Sequence, residues 1–259
     1  MRHTRVTSHI RKARLSFAAT LALASFALVA TPFARLLPAS WQPVSVQQRS
    51  GERLSAPTSY NVLQYPDYVR HVGAACVETP LEPGDVRLSG LDAQGRTLPV
   101  RACVTYAMMK QGSARERAAD MGEPSGWGKN KKVRIDIPGG RPYHGWFWNR
   151  SHMLAKSLGG PDQRENMVCG TRMQNVGANN EQGGMAYSET VCRNWLAQHP
   201  QGTIQYIVTP LYVDDECIPR SVVVDMLSSD GSINEEVEVY NAAHGYDIDY
   251  HTGAFCQRT

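Results

Sequence analysis

Three short stretches carry side chains whose types and order could do chemistry. They are Asn149-Arg150-Ser151-His152, then Asn166 through Asn175, then Gly183 through Glu189. His152 follows the aromatic run Tyr143-His144-Gly145-Trp146-Phe147-Trp148, which reads as a buried strand delivering its last residues to a surface. With an unperturbed pKa of about 6.5, histidine is the usual side chain for taking a proton near neutral pH. Asn175 carries an amide oxygen, a hard neutral donor of the kind Mg²⁺ accepts while keeping several waters. Arg150 and Arg172 are candidates to hold phosphate oxygens, for which a guanidinium offers paired donors. A strand ending in Arg-x-His, a second short strand, and a helix supplying Asn and Glu suggest a one-metal phosphodiesterase site. Plainer readings stand beside each residue. A lone histidine is more often structural than catalytic, Asn175 could cap a helix or turn the chain, and an exposed helical Glu189 is commonplace.

The elements that must position these groups show in the periodicity. Val133-Arg134-Ile135-Asp136-Ile137 alternates like a half-buried strand and stops at Pro138-Gly139-Gly140. Ile204, Tyr206 and Val208 alternate in another. Ser221 to Leu227 and Val237 to Tyr240 look like two more, parted by the turn-like Ser229-Asp230-Gly231. Met185 to His199 is the best helix, with Val191, Trp195 and Leu196 on one face and Pro200 at its end. Strands that mostly neighbour one another, with few helices, predict an α+β fold.

The ordered set resembles the DNA/RNA non-specific endonucleases with a ββα-metal active site, nearest to the membrane DNA-entry nucleases and secreted streptodornases. That family opens its motif with Asp-Arg-Gly-His or a close variant, here Asn149-Arg150-Ser151-His152. Asn166 through Asn175 is similar to its Asn-Leu-x-x-Gly-Thr-Arg-x-x-Asn segment. Tyr240-Asn241 to Ile248-Asp249-Tyr250-His251-Thr252-Gly253 is similar to its closing stretch. The likeness runs from about Leu91 onward and departs at Asn149, where many relatives carry Asp. It implies a mixed, mainly antiparallel sheet around a ββα-metal motif. It implies His152 as general base, Asn175 as the ligand of one Mg²⁺ (Mn²⁺ the alternative), and Glu189 orienting the metal's water shell. Asn166 would brace the His152 loop. The substrate would be DNA, with RNA as an alternative, the products would end in 5′-phosphate, and no organic cofactor is implied. Trp127, Trp146 and Trp148 could stack on bases, although at least two of them read as core.

A binding protein that has lost catalysis, such as an extracellular receptor for DNA uptake, is the rival from another class. It would not need the His152, Asn175 and Glu189 set, and Asn149 is the residue that keeps it open. A serine hydrolase finds no Gly-x-Ser-x-Gly elbow.

The remaining chain sets the context. Residues 1–14 are basic, and Leu15 to Ala34 runs without a charge, the pattern of an export signal or of an N-terminal membrane anchor. Residues 1–40 are therefore read as that segment, 41–65 as a Pro-, Ser- and Gln-rich linker, and 66–259 as one nuclease domain, secreted or anchored outside the cell. All six cysteines lie beyond the export segment without a Cys-x-x-Cys pair, and predict up to three disulfides. The net charge of +3 conceals a division: Arg101 to Lys156 carries 11 Lys/Arg against four Asp/Glu, and Gln201 to Thr259 two against ten. The basic half surrounds the candidate site, which suits a polyanionic substrate. Lys129, Lys131, Lys132 and Arg134 read equally well as a solvated edge.

Overall fold

The computed structural model describes residues 55–177 and 182–258. Its first elements are β1 (Val69–Gly73), β2 (Val86–Leu88), β3 (Val100–Thr105), α1 (Tyr106–Ala114), β4 (Lys132–Ile135), β5 (Tyr143–Trp146) and β6 (Trp148–His152). There follow β7 (Met167–Thr171), α2 (Arg172–Val176), α3 (Met185–Gln198), β8 (Thr203–Leu211), β9 (Ser221–Ser228), β10 (Asn234–Tyr240), β11 (Tyr246–Ile248) and β12 (Phe255–Gln257).

Six strands form one sheet in the order β1-β10-β9-β8-β3-β2, and every pairing in it is antiparallel. Ser221-Val-Val-Val-Asp-Met-Leu-Ser is buried along almost its whole length, as befits a central strand covered on both faces. Helices α1 and α3 and the Met153–Leu158 turn pack on one face of this sheet. Leu154, Leu158, Leu196, Ile204, Val208 and Val224 meet there in the first apolar core. Thr105 starts α1 by accepting a hydrogen bond from the Met108 N–H. Three two-stranded ladders, β4–β5, β6–β7 and β11–β12, lie outside the large sheet. They surround a second core built on Ile135, Phe147, Trp148, Cys169, Met173 and Tyr246. The architecture is α+β and mainly antiparallel, as the pattern predicts.

The β6–β7 ladder is clamped between these two cores. Val168 faces the first and its neighbour Cys169 the second, because successive side chains of a strand point to opposite faces. Trp148 fixes the start of β6 by donating its indole N–H to the Gly253 carbonyl, 2.9 Å away. Asn241 fixes β7, accepting from the Thr171 N–H and donating to the Cys169 carbonyl.

Two expectations change. The aromatic run is two strands rather than one buried strand: Phe147 breaks it by turning into the second core, stacked on Phe255 at 3.7 Å, and leaves Trp146 52% exposed. The end of the expected linker is packed, with Tyr60 on Tyr68 and Tyr65 on Tyr240, since these rings find apolar partners. Among the described residues the structure forms no disulfide. Cys103, Cys169 and Cys192 are separately buried, Cys192 in the first core and Cys169 in the second. The export segment lies outside the described residues, and among those described no helix is long and apolar enough to cross a membrane.

Candidate active site

His152 stands at the last position of β6, 7% exposed, on the wall of a cleft of about 870 Å³. Its Nε2 lies 2.9 Å from Asp162 Oδ1. Burial works to raise the Asp162 carboxyl, but the Ala118 N–H, His152 and Arg115 outweigh it and hold it below the usual carboxylate range. An ionised carboxylate only accepts, so Nε2 carries the hydrogen, and in the neutral ring Nδ1 keeps the lone pair. Burial also depresses the His152 pKa; Asp162 opposes that, and Arg117 and Arg115 reinforce it. The neutral ring, the form able to take a proton, is therefore favoured.

The turn carrying His152 out of β6 is held by Asn166, which is fully buried. Its Oδ1 accepts from the Leu154 N–H, and its Nδ2 donates to the Leu154 and Pro161 carbonyls. Gly160 must be glycine here, for a Cβ would stand 1.8 Å from the Leu154 carbonyl oxygen. The same turn therefore brings Asp162 back onto the His152 ring.

Asn175 and Glu189 reach the same cleft from α2 and α3. Asn175 sits within α2, whose caps are Thr171 and Gly177, so it does not cap that helix. The Glu189 carboxyl is pushed up to about 7 by burial, against the pull of Arg193, Arg117 and Ser157. Gly184 lets α3 start close against α2, where a Cβ would lie 2.2 Å from the Gln174 carbonyl oxygen. Arg150 lines the cleft, with its guanidinium over Trp127 at 4.5 Å and its Nε donating to the Gly122 carbonyl. Arg172 does not line it; its guanidinium lies over the Tyr143 ring. Trp148 is core, whereas Trp146 opens on the cleft.

The donor set decides which cation would suit. Among the described residues no three His, Cys, Asp or Glu side chains gather as a metal cage. The cleft presents Asn149, Asn175 and Glu189, two amides and one carboxylate. Asn149 Nδ2 is buried without a protein hydrogen-bond partner. Oxygen donors this few fit a hard cation that keeps most of its waters.

The sequence model of the DNA/RNA non-specific endonucleases matches residues 85–254. The chain belongs to that family. It is also 31% identical, over 90% of its length and 82% of the relative's, to a deoxyribonuclease of Streptococcus dysgalactiae subsp. equisimilis. The nuclease resembles the solved Sda1 nuclease with bound zinc ion at 28% identity and a TM-score of 0.72, covering 76% of this chain and all of that one. NucA from Streptococcus agalactiae with magnesium ion bound shares the fold at 19% identity and a TM-score of 0.58, over 73% of this chain and 90% of that one. The family is one of DNA/RNA non-specific endonucleases; the curated relative is a deoxyribonuclease, and the two solved nucleases hold zinc and magnesium respectively.

Sequence reasoning missed Asp162. The signal available was Gly159-Gly160-Pro161, a turn that could fold an acid back towards His152.

Proposed function

We propose that the nuclease cuts DNA by hydrolysis with His152 as general base and one Mg²⁺ at Asn175, Mn²⁺ being the alternative. One observation carries this reading: a buried, neutral-leaning histidine held by Asp162 shares a cleft with Asn175 and Glu189. His152 Nδ1 takes a proton from the water that attacks phosphorus in line with the 3′ oxygen. The water oxygen bonds to phosphorus as the P–O3′ bond breaks, and the product carries a 5′-phosphate. Asp162 stabilises the imidazolium that forms. Arg150 meets the phosphate oxygens at the cleft edge. Asn175 and Glu189 are the residues that would hold the cation and orient its waters; a cation there offsets charge developing on the phosphate and the departing oxygen. Asn149, neutral where many relatives carry Asp, makes the site's hold on the cation weak without DNA.

Residues 1–40 are proposed as the export segment, cleaved or kept as an anchor, on the strength of the basic head and apolar run. N-terminal sequencing of protein from the culture medium tests this, and full-length chain found only in membranes would exclude cleavage.

Plasmid cleavage across a Mg²⁺ titration tests the chemistry. His152→Ala should bind DNA but lose about 10²–10⁴-fold in rate. Asn175→Ala should be slow at ordinary Mg²⁺ and recover partly at high Mg²⁺. A fully active His152→Ala protein would end the mechanism.

A further inference from the structure

We infer that the solvent face of the β4–β5 ladder is a strip for single-stranded nucleic acid leading out of the cleft, with Trp146 stacking on an unpaired base. The inference rests on the cleft being where the phosphodiester is cut. One face of this ladder, Val133, Ile135 and Tyr143, packs on the second core. The other shows Lys132, Arg134, His144 and Trp146, all exposed. Lys132 stands opposite Trp146 and Arg134 opposite His144, so each ring is partnered by a cation across the ladder.

Trp146 is the indole that folding leaves uncommitted. Among the described tryptophans, Trp148 is buried and bonded to Gly253, and Trp195 donates to Ser232 and stacks on His199. Trp127 lies under Arg150. Trp146 remains 52% exposed on the rim of the cleft that holds His152, with the Lys132 ammonium 5.8 Å from its ring centre. Arg134 pairs with Asp136 at 2.8 Å, but both are exposed, and a phosphate can compete for the guanidinium. Rings interleaved with cations are what a single strand requires: the cations follow its phosphates and the rings take its bases. In a duplex both faces of a base are covered by neighbours, so the indole reaches only a base outside the stack. Trp146 lies six residues before His152, a span of at most about 20 Å. The stacked base therefore lies within a few nucleotides of the scissile phosphate, and the stacking governs which strands bind rather than how the bond breaks.

The test compares wild type, Trp146→Ala and Trp146→Phe on a single-stranded oligonucleotide and on a hairpin duplex of the same composition. Cleavage is followed with Mg²⁺, and binding with EDTA by tryptophan fluorescence and anisotropy. Trp146→Ala should raise KM and the dissociation constant for the single strand by about tenfold or more, as removing one base–aromatic stack does. Its kcat and its duplex binding should stay within about twofold of wild type, a change too small to represent a whole stacking interaction. Trp146→Phe should restore most of the single-strand affinity. Equal weakening on both substrates, or none on the single strand, overturns the inference. If wild type cuts neither substrate, the nuclease mechanism falls, while the EDTA binding series still decides on the strip.

Discussion

At the scale of single residues, the proposed mechanism makes the His152–Asp162 pair and Glu189 set the pH behaviour. Because burial depresses the histidine pKa, its proton-accepting form persists below the ordinary value of about 6.5. With Mg²⁺ saturating, so that the cation keeps Glu189 ionised although burial alone pushes it up to about 7, the acid limb of the cleavage rate should therefore have its midpoint below that value. Asp162 pulls the other way by favouring the imidazolium. Asp162→Asn keeps an acceptor for Nε2 but removes the charge, so the midpoint should move lower still. The rate on the alkaline plateau should fall as well, because a weaker base takes the proton less readily. A pH–rate profile for both proteins measures this, and a midpoint that rises in Asp162→Asn would refute the assigned role. His152 itself was legible from its neighbours in the motif. Asp162 was not, because its relation to the ring is made by the fold of a Gly-Gly-Pro turn rather than by a strand or helix period.

At the scale of elements the site depends on the turn between β6 and β7 keeping one shape. Asn166 makes three side-chain hydrogen bonds to that turn, the two to Leu154 fully buried, and truncating it leaves the Leu154 and Pro161 groups without partners. Each unsatisfied buried group costs about 1–3 kcal/mol. Asn166→Ala should thus lose about 2–5 kcal/mol of stability in urea unfolding. Its activity should fall at every Mg²⁺ concentration, unlike that of Asn175→Ala. A variant as stable as wild type would show that water replaces the amide. Helix α3 was readable to within a residue because Trp195 and Leu196 keep the helical period and Pro200 ends it. The break at Phe147 was hidden. Nothing local marks it, and the ring that draws Phe147 inward, Phe255, is far along the chain.

Across the whole molecule, charge is divided along the chain, a basic stretch that reaches the cleft preceding an acidic one. Several acids of the second half are occupied within the fold: Glu238 with Arg70 and Ser221, and Glu216 with Arg220. The cations between Arg101 and Lys156 include Arg117, Arg150 and Lys156 on the cleft itself. DNA affinity should accordingly fall steeply with salt. Replacing Lys129, Lys131 and Lys132 with Gln should reduce the log–log slope by up to about 0.9 for each phosphate no longer neutralised. An unchanged slope in filter binding would assign those lysines to a solvated edge. The sequence carried this division of charge, and the number and position of its cysteines suit disulfides. The folded chain instead buries Cys103, Cys169 and Cys192 separately. Reductant should leave the melting temperature unchanged, and Cys256, the exposed thiol, should react first with a thiol reagent in the native protein.

The bond from Trp148 to Gly253 also bears on timing. Phe147 and Trp148 close onto Phe255 and Gly253, which the ribosome makes long after the strand they belong to. A nascent chain still short of Gly253 can pair β6 with β7 but lacks the surface that seats the base of that ladder. The ladder that ends at His152 is thus seated only by a residue made 105 positions after Trp148.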